Sequence, residues 1–550
     1  MACFVCFLSV LTILSYSKLN SWATHLPVDV NKPHTSHDHG EAKLGAVTSM
    51  SARCSDIGID ILRKGGNAAD AMIATEFCVG VIGLESTGLS GGGFMVIRAP
   101  NGTYEAIDFR ETAPAAAFED MYVNDEEASL TGGLASGVPG ELRGLQHLYE
   151  RYGYLPWADL VEPSIRIARD GFIADESLVE VFEGVDNPEF LTEDPAWAVD
   201  FAPNGTLLGL GDTLTRKRLA AVLERVAKEG PDVFYEGDIA EATIRALRAT
   251  NGTMTLDDLK NYHVIEREPM SITYRNFKIT SMGAPSGGAV VLSVLKTVEG
   301  THRLDEAIRF AFGARTELGD PAFMSNTTTF DEKLISPEYH TLPVSAYNPS
   351  GFESIETPGT SHVVTADASG LSVSLTSTIN LWLGSTVMVP ETGIIMNNEM
   401  NDFSIPGVSN AFGYIPSPAN FVRPEKRPLS SMAPVIVEFL SNNTLYYALG
   451  GAGGSHIITA VIQGLWNVLD RRMDLYTALD IPRFHDQLIP NNLELNYRYN
   501  NATAAFLRGL GHNITCAERG ADLNALRRLP NGTFEAVGEP NFAPAAGYAT

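Results

Sequence analysis

Apolar positions recur at helical spacing early in the chain. Ile57, Ile61 and Leu62 share one face of a predicted helix, capped by Ser55 and stopped by Gly65-Gly66. The run from Ala68 to Val81 is Ala-rich and apolar on all sides, which predicts a second, buried helix. The period then shortens. FMVIRA and YEAIDFR read as two strands joined by a hairpin at Asn101-Gly102. Residues 139–260 alternate helical patterns such as LRGLQHLYERYG and KRLAAVLERVAKEG with polar loops, and residues 262–282 are extended again. HRLDEAIRFAFGARTELGD is an amphipathic helix, and a polar, Pro-bearing stretch from Ser336 to Pro358 follows it. Beyond that stretch, strands are expected to dominate to Leu449, with a helix from Ser455. Strand blocks flanked by helical blocks predict a layered α+β sandwich rather than a doubly wound sheet.

Charge and the two ends change the picture. A net charge of −27 excludes nucleic acid as a partner, because one polyanion repels another. The run ACFVCFLSVLTILSY from Ala2 to Tyr16 is shorter than the roughly 20 residues a spanning helix needs. It fits a signal peptide over residues 1–23, with Ser21-Trp22-Ala23 at the cleavage site, or an uncleaved membrane anchor that lacks the usual basic start. Residues 24–43 read as a solvated linker, a reading that outweighs a metal site at His34, His37 and His39. Glycosylation sequons at Asn101, Asn204, Asn251, Asn326, Asn442, Asn501, Asn513 and Asn531 favour a protein of the secretory pathway, secreted or on the outer face of the plasma membrane. Cys3 and Cys6 lie in the leader. Cys54, Cys78 and Cys516 are too scattered for a zinc site, and Cys54 and Cys78 flank one helical hairpin where a disulfide can form.

The stretch GTSHVVTADASGLSVSLTSTIN, Gly359 to Asn380, carries many hydroxyls and no Lys or Arg. It folds back at Ala368-Ser369-Gly370, where Gly suits the left-handed position of a three-residue loop. If Asp367 faces Leu371, Thr360 faces Thr378. A bulge at Gly370 would shift this by one residue. Alternation then puts Ser374, Thr376, Thr378 and Asn380 on one face and sends Val373, Leu375 and Ile379 into a core. Hydroxyl rows on strands usually face water, and that is the plain reading here. Two features favour chemistry instead. Gly359 lets the peptide before Thr360 distort, and cleavage there would give Thr360 an α-amine able to serve as base for its own hydroxyl.

Four further stretches carry candidate chemistry. GIIMNNEMNDFS places Glu399 and Asp402 on one side of a helical turn. KRPLSSMAP offers Ser430 and Ser431, DFRETAP offers Arg110 at a strand end, and GGAGGS puts Gly453-Gly454 before a helix, where backbone amides stabilise an oxyanion. The phosphate-loop pattern G-x-x-x-x-G-K is absent from that glycine run.

Taken in order, GGNAADAMIA, SGGGFMVI, FRETAP, GTSHVV, TSTIN, NNEMNDFS, PSPANF, RPLSSM and GGAGGS resemble the γ-glutamyltranspeptidases, from about Leu44 to Tyr548. The resemblance implies a four-layer αββα sandwich of the N-terminal nucleophile hydrolase type. It implies self-cleavage at Gly359-Thr360 into a large subunit, residues 44–359, and a small one, residues 360–550, that form one intertwined heterodimer. Thr360 matches the nucleophile, Thr378 the Thr that hydrogen-bonds it, and Gly453 and Gly454 the oxyanion hole. Arg110, Ser430 and Ser431 match the binders of the γ-glutamyl α-carboxylate, and Asn380, Glu399 and Asp402 those of its α-ammonium. Cys54 and Cys78 match a family disulfide. The implied donors are glutathione and other γ-glutamyl compounds, and the implied acceptors are water, amino acids and dipeptides. No metal or organic cofactor is implied.

Elementary electrostatics agrees with that division. A γ-glutamyl group ends in a zwitterion and needs both charge signs in one pocket. Remote charge is screened beyond roughly 8 Å, so a local Arg can hold a carboxylate in an acidic protein. Trp382 stands where mammalian relatives have a Tyr at the pocket mouth, no long lid insertion separates Asp402 from Ser430, and a second mammalian large-subunit disulfide has no Cys pair here. The rival readings are a related acylase of the same fold, such as a glutaryl-cephalosporin acylase, and a non-catalytic surface glycoprotein. The first would not need Asn380, Glu399 and Asp402 together, and the second would not need Thr360, Thr378 and the glycine pair.

Overall fold

The computed structural model describes residues 42–550 except 186, 299–303, 325–326, 337–357 and 415. The expectations for the leader, His34, His37, His39 and Asn326 lie outside the described residues, as does most of the polar stretch before Pro358. No helix among the described residues is long and apolar enough to cross a membrane.

Two antiparallel sheets carry the fold. The first has seven strands, in the spatial order Ala546–Ala549, Gly45–Ser49, Pro358–Asp367, Ser372–Leu381, Gly92–Arg98, Tyr104–Asp108 and Ile265–Arg267. The second has six, in the order Phe534–Val537, Asp522–Arg528, Leu445–Ala452, Val435–Phe439, Phe277–Met282 and Pro269–Tyr274. Alternation decides what each face of the first sheet touches. Val363, Val373, Leu375 and Ile379 point to the outer helices, including Ala68–Ile82 and Trp157–Asp170, whereas Phe94, Val96, Val364 and Ala366 point to the second sheet. The second sheet is covered in turn by helices Gly288–Val298 and His456–Leu469. This is the expected four-layer sandwich.

The predicted elements are present, with three corrections. Ser55 does not cap the first helix. That helix is Ala52–Arg63 with Ser51 at its N-cap, and Ser55 lies inside it, donating its hydroxyl to the Ala546 carbonyl at 2.8 Å. Strands do not dominate up to Leu449. From Trp382 to Pro434 the chain is mostly irregular, with short 3-10 turns at Glu399–Asp402 and Pro418–Asn420. Asn side chains replace the sheet ladder there: Asn397 Oδ1 accepts from the Gly137 amide at 2.8 Å, and Asn398 Oδ1 from the Leu381 amide at 3.0 Å. Thirdly, the hydroxyl row does not face water. Every residue of Ser372–Leu381 is buried, and Ser374 Oγ donates to the Leu449 carbonyl of the second sheet at 3.1 Å.

Cys54 and Cys78 form the expected disulfide between the first two helices, with 5.3 Å between their Cα atoms. Every described sequon asparagine (Asn101, Asn204, Asn251, Asn442, Asn501, Asn513 and Asn531) is exposed.

Candidate active site

The site grows from one hairpin. Strands Pro358–Asp367 and Ser372–Leu381 pair with Thr360 opposite Thr378, as the Asp367–Leu371 turn requires, and Gly370 takes φ +88° in the turn. The register shift falls at the other end, between Thr378 and Asn380, so the turn does not displace the pairing. There Asn380 adopts φ +77°, and the Ile379 amide leaves the ladder to reach the Ser86 carbonyl at 3.0 Å. A bulge re-aims the strand end, and here it turns the Asn380 side chain onto the Asn398 carbonyl at 2.9 Å.

Three hydrogen bonds order the hydroxyls. The Asn380 amide donates to Thr378 Oγ1 at 2.8 Å, and the Thr378 hydroxyl donates to the Gly359 carbonyl. Its proton is thereby committed, so Thr360 is the donor in the 3.2 Å contact between Thr360 Oγ1 and Thr378 Oγ1. The carbonyl that precedes Thr360 is polarised by a hydroxyl adjacent to Thr360's own. Behind the hairpin, His362 wedges between the sheets, its Nδ1 at 2.8 Å from Thr376 Oγ1. Burial lowers its pKa to about 3, which keeps the ring neutral.

Thr360 lies between two cavities. The tighter, of about 50 Å³, is lined by Arg110, Asn380, Glu399, Asp402, Ser430 and Ser431, with Gly454 at its edge. The sequence-predicted binders therefore do converge on Thr360. Arg110 is fully buried and ion-paired to both Glu399 and Asp402, with Glu111 at 4.0 Å. Burial opposes the Arg110 charge, but Glu399, Asp402 and Glu111 outweigh it and hold the guanidinium above its ordinary range. Burial raises the Glu399 carboxyl well above its usual value against the pull of Arg110, and pushes Glu111 up to about 8. The guanidinium and its two carboxylate partners thus offset one another inside the cavity.

The larger cavity, of about 260 Å³, lies on the other side of Thr360 and is lined by Gly453, Gly454 and Trp382. Gly453 and Gly454 sit between strand Leu445–Ala452 and helix His456–Leu469 at φ +130° and +57°. A Cβ on Gly453 would lie 2.7 Å from Ala521 Cα, so contact and backbone both demand Gly. Among the described residues neither glycine amide has an acceptor, which leaves both donors for an oxyanion.

Glu111, buried beside Arg110, and Tyr414, in the wall of the tight cavity, were not singled out in the sequence. Glu111 follows Arg110 directly in FRETAP, a visible signal. Tyr414, whose hydroxyl is 3.0 Å from Ser431 Oγ, lies in the irregular segment and carries no spacing that would mark it.

Stacked antiparallel sheets between helices, with a Gly-Thr junction opening a central strand beside unpaired glycine amides, define an N-terminal nucleophile hydrolase. The chain belongs to the γ-glutamyltranspeptidase family, whose profile (Gamma-glutamyltranspeptidase) it matches over residues 54–547. It is 50% identical to the glutathione hydrolase proenzyme of Arthroderma benhamiae, over 94% of both chains. It is 35% identical to that of Escherichia coli, over 92% of both. In structure it is similar to a cephalosporin acylase from Bacillus halodurans, with a TM-score of 0.81 and 25% identity over 96% of this chain and 100% of that one.

Proposed function

We propose that this protein cleaves the γ-glutamyl amide of glutathione and related donors, and passes the γ-glutamyl group to water or to amino acid and dipeptide amines. It matures by self-cleavage at Gly359-Thr360. In maturation Thr360 Oγ attacks the Gly359 carbonyl carbon, the C–N bond breaks, and water then hydrolyses the resulting ester. The two chains stay together, and Thr360 gains a free α-amine. In turnover that amine takes the Thr360 hydroxyl proton. Thr360 Oγ attacks the γ-carbonyl, the oxyanion rests on the Gly453 and Gly454 amides, the amine product leaves, and a γ-glutamyl ester remains. Arg110, Ser430 and Ser431 hold the donor's α-carboxylate, while Asn380, Glu399 and Asp402 hold its α-ammonium.

The observation that carries this reading is the buried joining of one guanidinium with two carboxylates in a cavity that reaches Thr360. The same observation disfavours the acylase reading. A glutaryl group differs from a γ-glutamyl group only in lacking the α-amine, so it leaves Glu399 and Asp402 without a partner. The test compares release of p-nitroaniline from γ-glutamyl- and glutaryl-p-nitroanilide. Preference for the γ-glutamyl compound by about 100-fold is expected from one buried charge-assisted contact, and equal or reversed rates would overturn the reading.

The exposed sequons and the Cys54–Cys78 disulfide support a location in the secretory pathway, secreted or on the outer face of the plasma membrane. Any membrane attachment would run through the N-terminal apolar segment.

A further inference from the structure

Building on the γ-glutamyl reading proposed above, we infer that Arg315 and Tyr414 are positioning residues of the tight cavity: Arg315 lies over the Tyr414 ring, the Tyr414 hydroxyl donates to Ser431 Oγ, and the Ser431 proton is thereby left for the donor's α-carboxylate.

The wall that holds Tyr414 comes from one helix. Leu304–Arg315 presents Phe312 and Arg315, three residues apart and so on one side. Phe312 stacks on Tyr414 with 6.5 Å between ring centroids and 22° between planes. The Arg315 guanidinium carbon lies 4.0 Å from the Tyr414 centroid. Tyr414 sits in the irregular segment, outside any sheet ladder, so these two contacts orient its ring. The phenol then meets Ser431 Oγ at 3.0 Å.

Direction matters in that contact. The Met432 amide donates to Ser430 Oγ at 3.1 Å, which uses that oxygen as an acceptor and leaves the Ser430 proton free. A Tyr414 hydroxyl donating to Ser431 does the same for the second serine. Among the described residues neither serine then gives its proton to a protein acceptor, so two O–H groups remain for an anion. Burial raises the Tyr414 pKa above its ordinary value, with Arg315 pulling the other way, so the phenol keeps a proton to donate. A cation over the ring face is attracted by its π electrons. It also favours the negative charge that gathers on the phenol oxygen as the proton is shared.

The two arginines of this cavity are not equivalent. Arg110 is bound up with Glu399 and Asp402. Arg315 lines the same cavity at 7% exposure, and its Nε has no hydrogen-bond partner. No carboxylate lies within ion-pair distance of it among the described residues. A buried cation without a counter-ion is costly, and the ligand that relieves that cost is an anion on the Ser431 side of the cavity. Arg315 thus adds an uncompensated positive charge behind the serines, transmitted through the Tyr414 ring and hydroxyl.

The test uses the full chain and two donors, γ-glutamyl-p-nitroanilide and 4-aminobutyryl-p-nitroanilide, which carries the same acyl group without its α-carboxylate. The readout is the preference for the first, as a ratio of kcat/KM values. Where the second turns over too slowly to follow, the preference is the ratio of its inhibition constant to the KM of the first. Both are measured on one sample, so loss of folded protein does not alter the ratio. Tyr414→Phe should lower the preference about three- to tenfold, the range of one hydrogen bond, with the change in the KM of the γ-glutamyl compound rather than in kcat. Arg315→Gln should lower it at least as far, and Arg315→Lys, which keeps the charge but not the planar stack, should recover part of it. An unchanged preference in Tyr414→Phe overturns the proposal. So does an equal weakening of both donors, which would mark the tyrosine as packing alone. An unchanged preference in Arg315→Gln overturns the part assigned to the arginine. If wild type releases no p-nitroaniline from the γ-glutamyl compound, the γ-glutamyl reading falls and this proposal with it. If it does, the variants judge Arg315 and Tyr414 alone.

Discussion

Replacing Thr378 by Ala removes one oxygen that serves three partners. The Asn380 amide loses its acceptor, the Gly359 carbonyl loses its donor, and Thr360 Oγ1 loses the group it donates to. A buried amide left without an acceptor costs about 1–3 kcal/mol of stability. Loss of a preorganised donor to a carbonyl under attack costs about 2.7–4 kcal/mol in the barrier, or 10²–10³ in rate. Since the Thr378 hydroxyl donates to the Gly359 oxygen, that second cost falls on self-cleavage. Thr378→Ala should therefore accumulate as one chain and mature about 100- to 1,000-fold more slowly, whereas Thr378→Ser, which keeps the oxygen, should stay within about tenfold of wild type. The assay follows the single chain by denaturing intact mass over time, with N-terminal sequencing of the new chain, expected to begin Thr360-Ser361-His362. Cleavage of the Ala variant at the wild-type rate would refute the assigned polarisation. Equal slowing of the Ser and Ala variants would assign the effect to packing of the methyl group.

Gly453→Ala places a Cβ 2.7 Å from Ala521 Cα at φ +130°, so the oxyanion amide should shift and kcat should fall about 10²–10³-fold with the protein still folded, checked by donor kinetics beside a melting curve. Cys78→Ala opens a link between residues 24 positions apart and should cost about 2–4 kcal/mol, read as a lowered denaturant midpoint. Burial raises the Glu141 carboxyl to about 7 from 4.5, so above 4.5 the unfolded chain releases a proton that the folded one keeps, and stability falls as pH rises through that window. Glu141→Gln should therefore gain Tm relative to wild type as pH rises from about 4.5 to about 7, and a pH-independent difference would contradict this.

The hairpin was legible because its turn is local: Gly370 and the Asp367–Leu371 contact determine the pairing of Thr360 with Thr378 seven residues away along each arm. The charged pocket was legible only as fragments, which the family resemblance ordered. Three kinds of feature were not readable. The first helix starts at Ala52, with Ser51 rather than Ser55 at its N-cap position, and the Ala52 amide is held there by the distant Pro544 carbonyl at 2.7 Å, which no local propensity encodes. The irregular segment from Trp382 to Pro434 depends on Asn side chains that bond backbone far away, such as Asn398 to the Leu130 carbonyl at 2.9 Å. The hydroxyl row reads as a wet strand until a second sheet is known to cover it. Burial of Glu141 is likewise a consequence of layering, and its spacing in the chain does not announce it.

The strand order has a consequence for the proposed maturation. Under the proposed cut at Gly359-Thr360, Gly45–Ser49 would belong to the first piece and lie between Ala546–Ala549 and the Thr360–Asp367 part of its neighbour, both of the second, while Val435–Phe439 pairs with Phe277–Met282 across the same divide in the second sheet. A chain cut at Gly359-Thr360 is thus held by ladders that alternate in ownership. Its two pieces cannot separate as docked bodies do, because parting them means tearing both sheets. Diluting the mature enzyme should leave its melting temperature unchanged, and loss of one piece should be as slow as global unfolding.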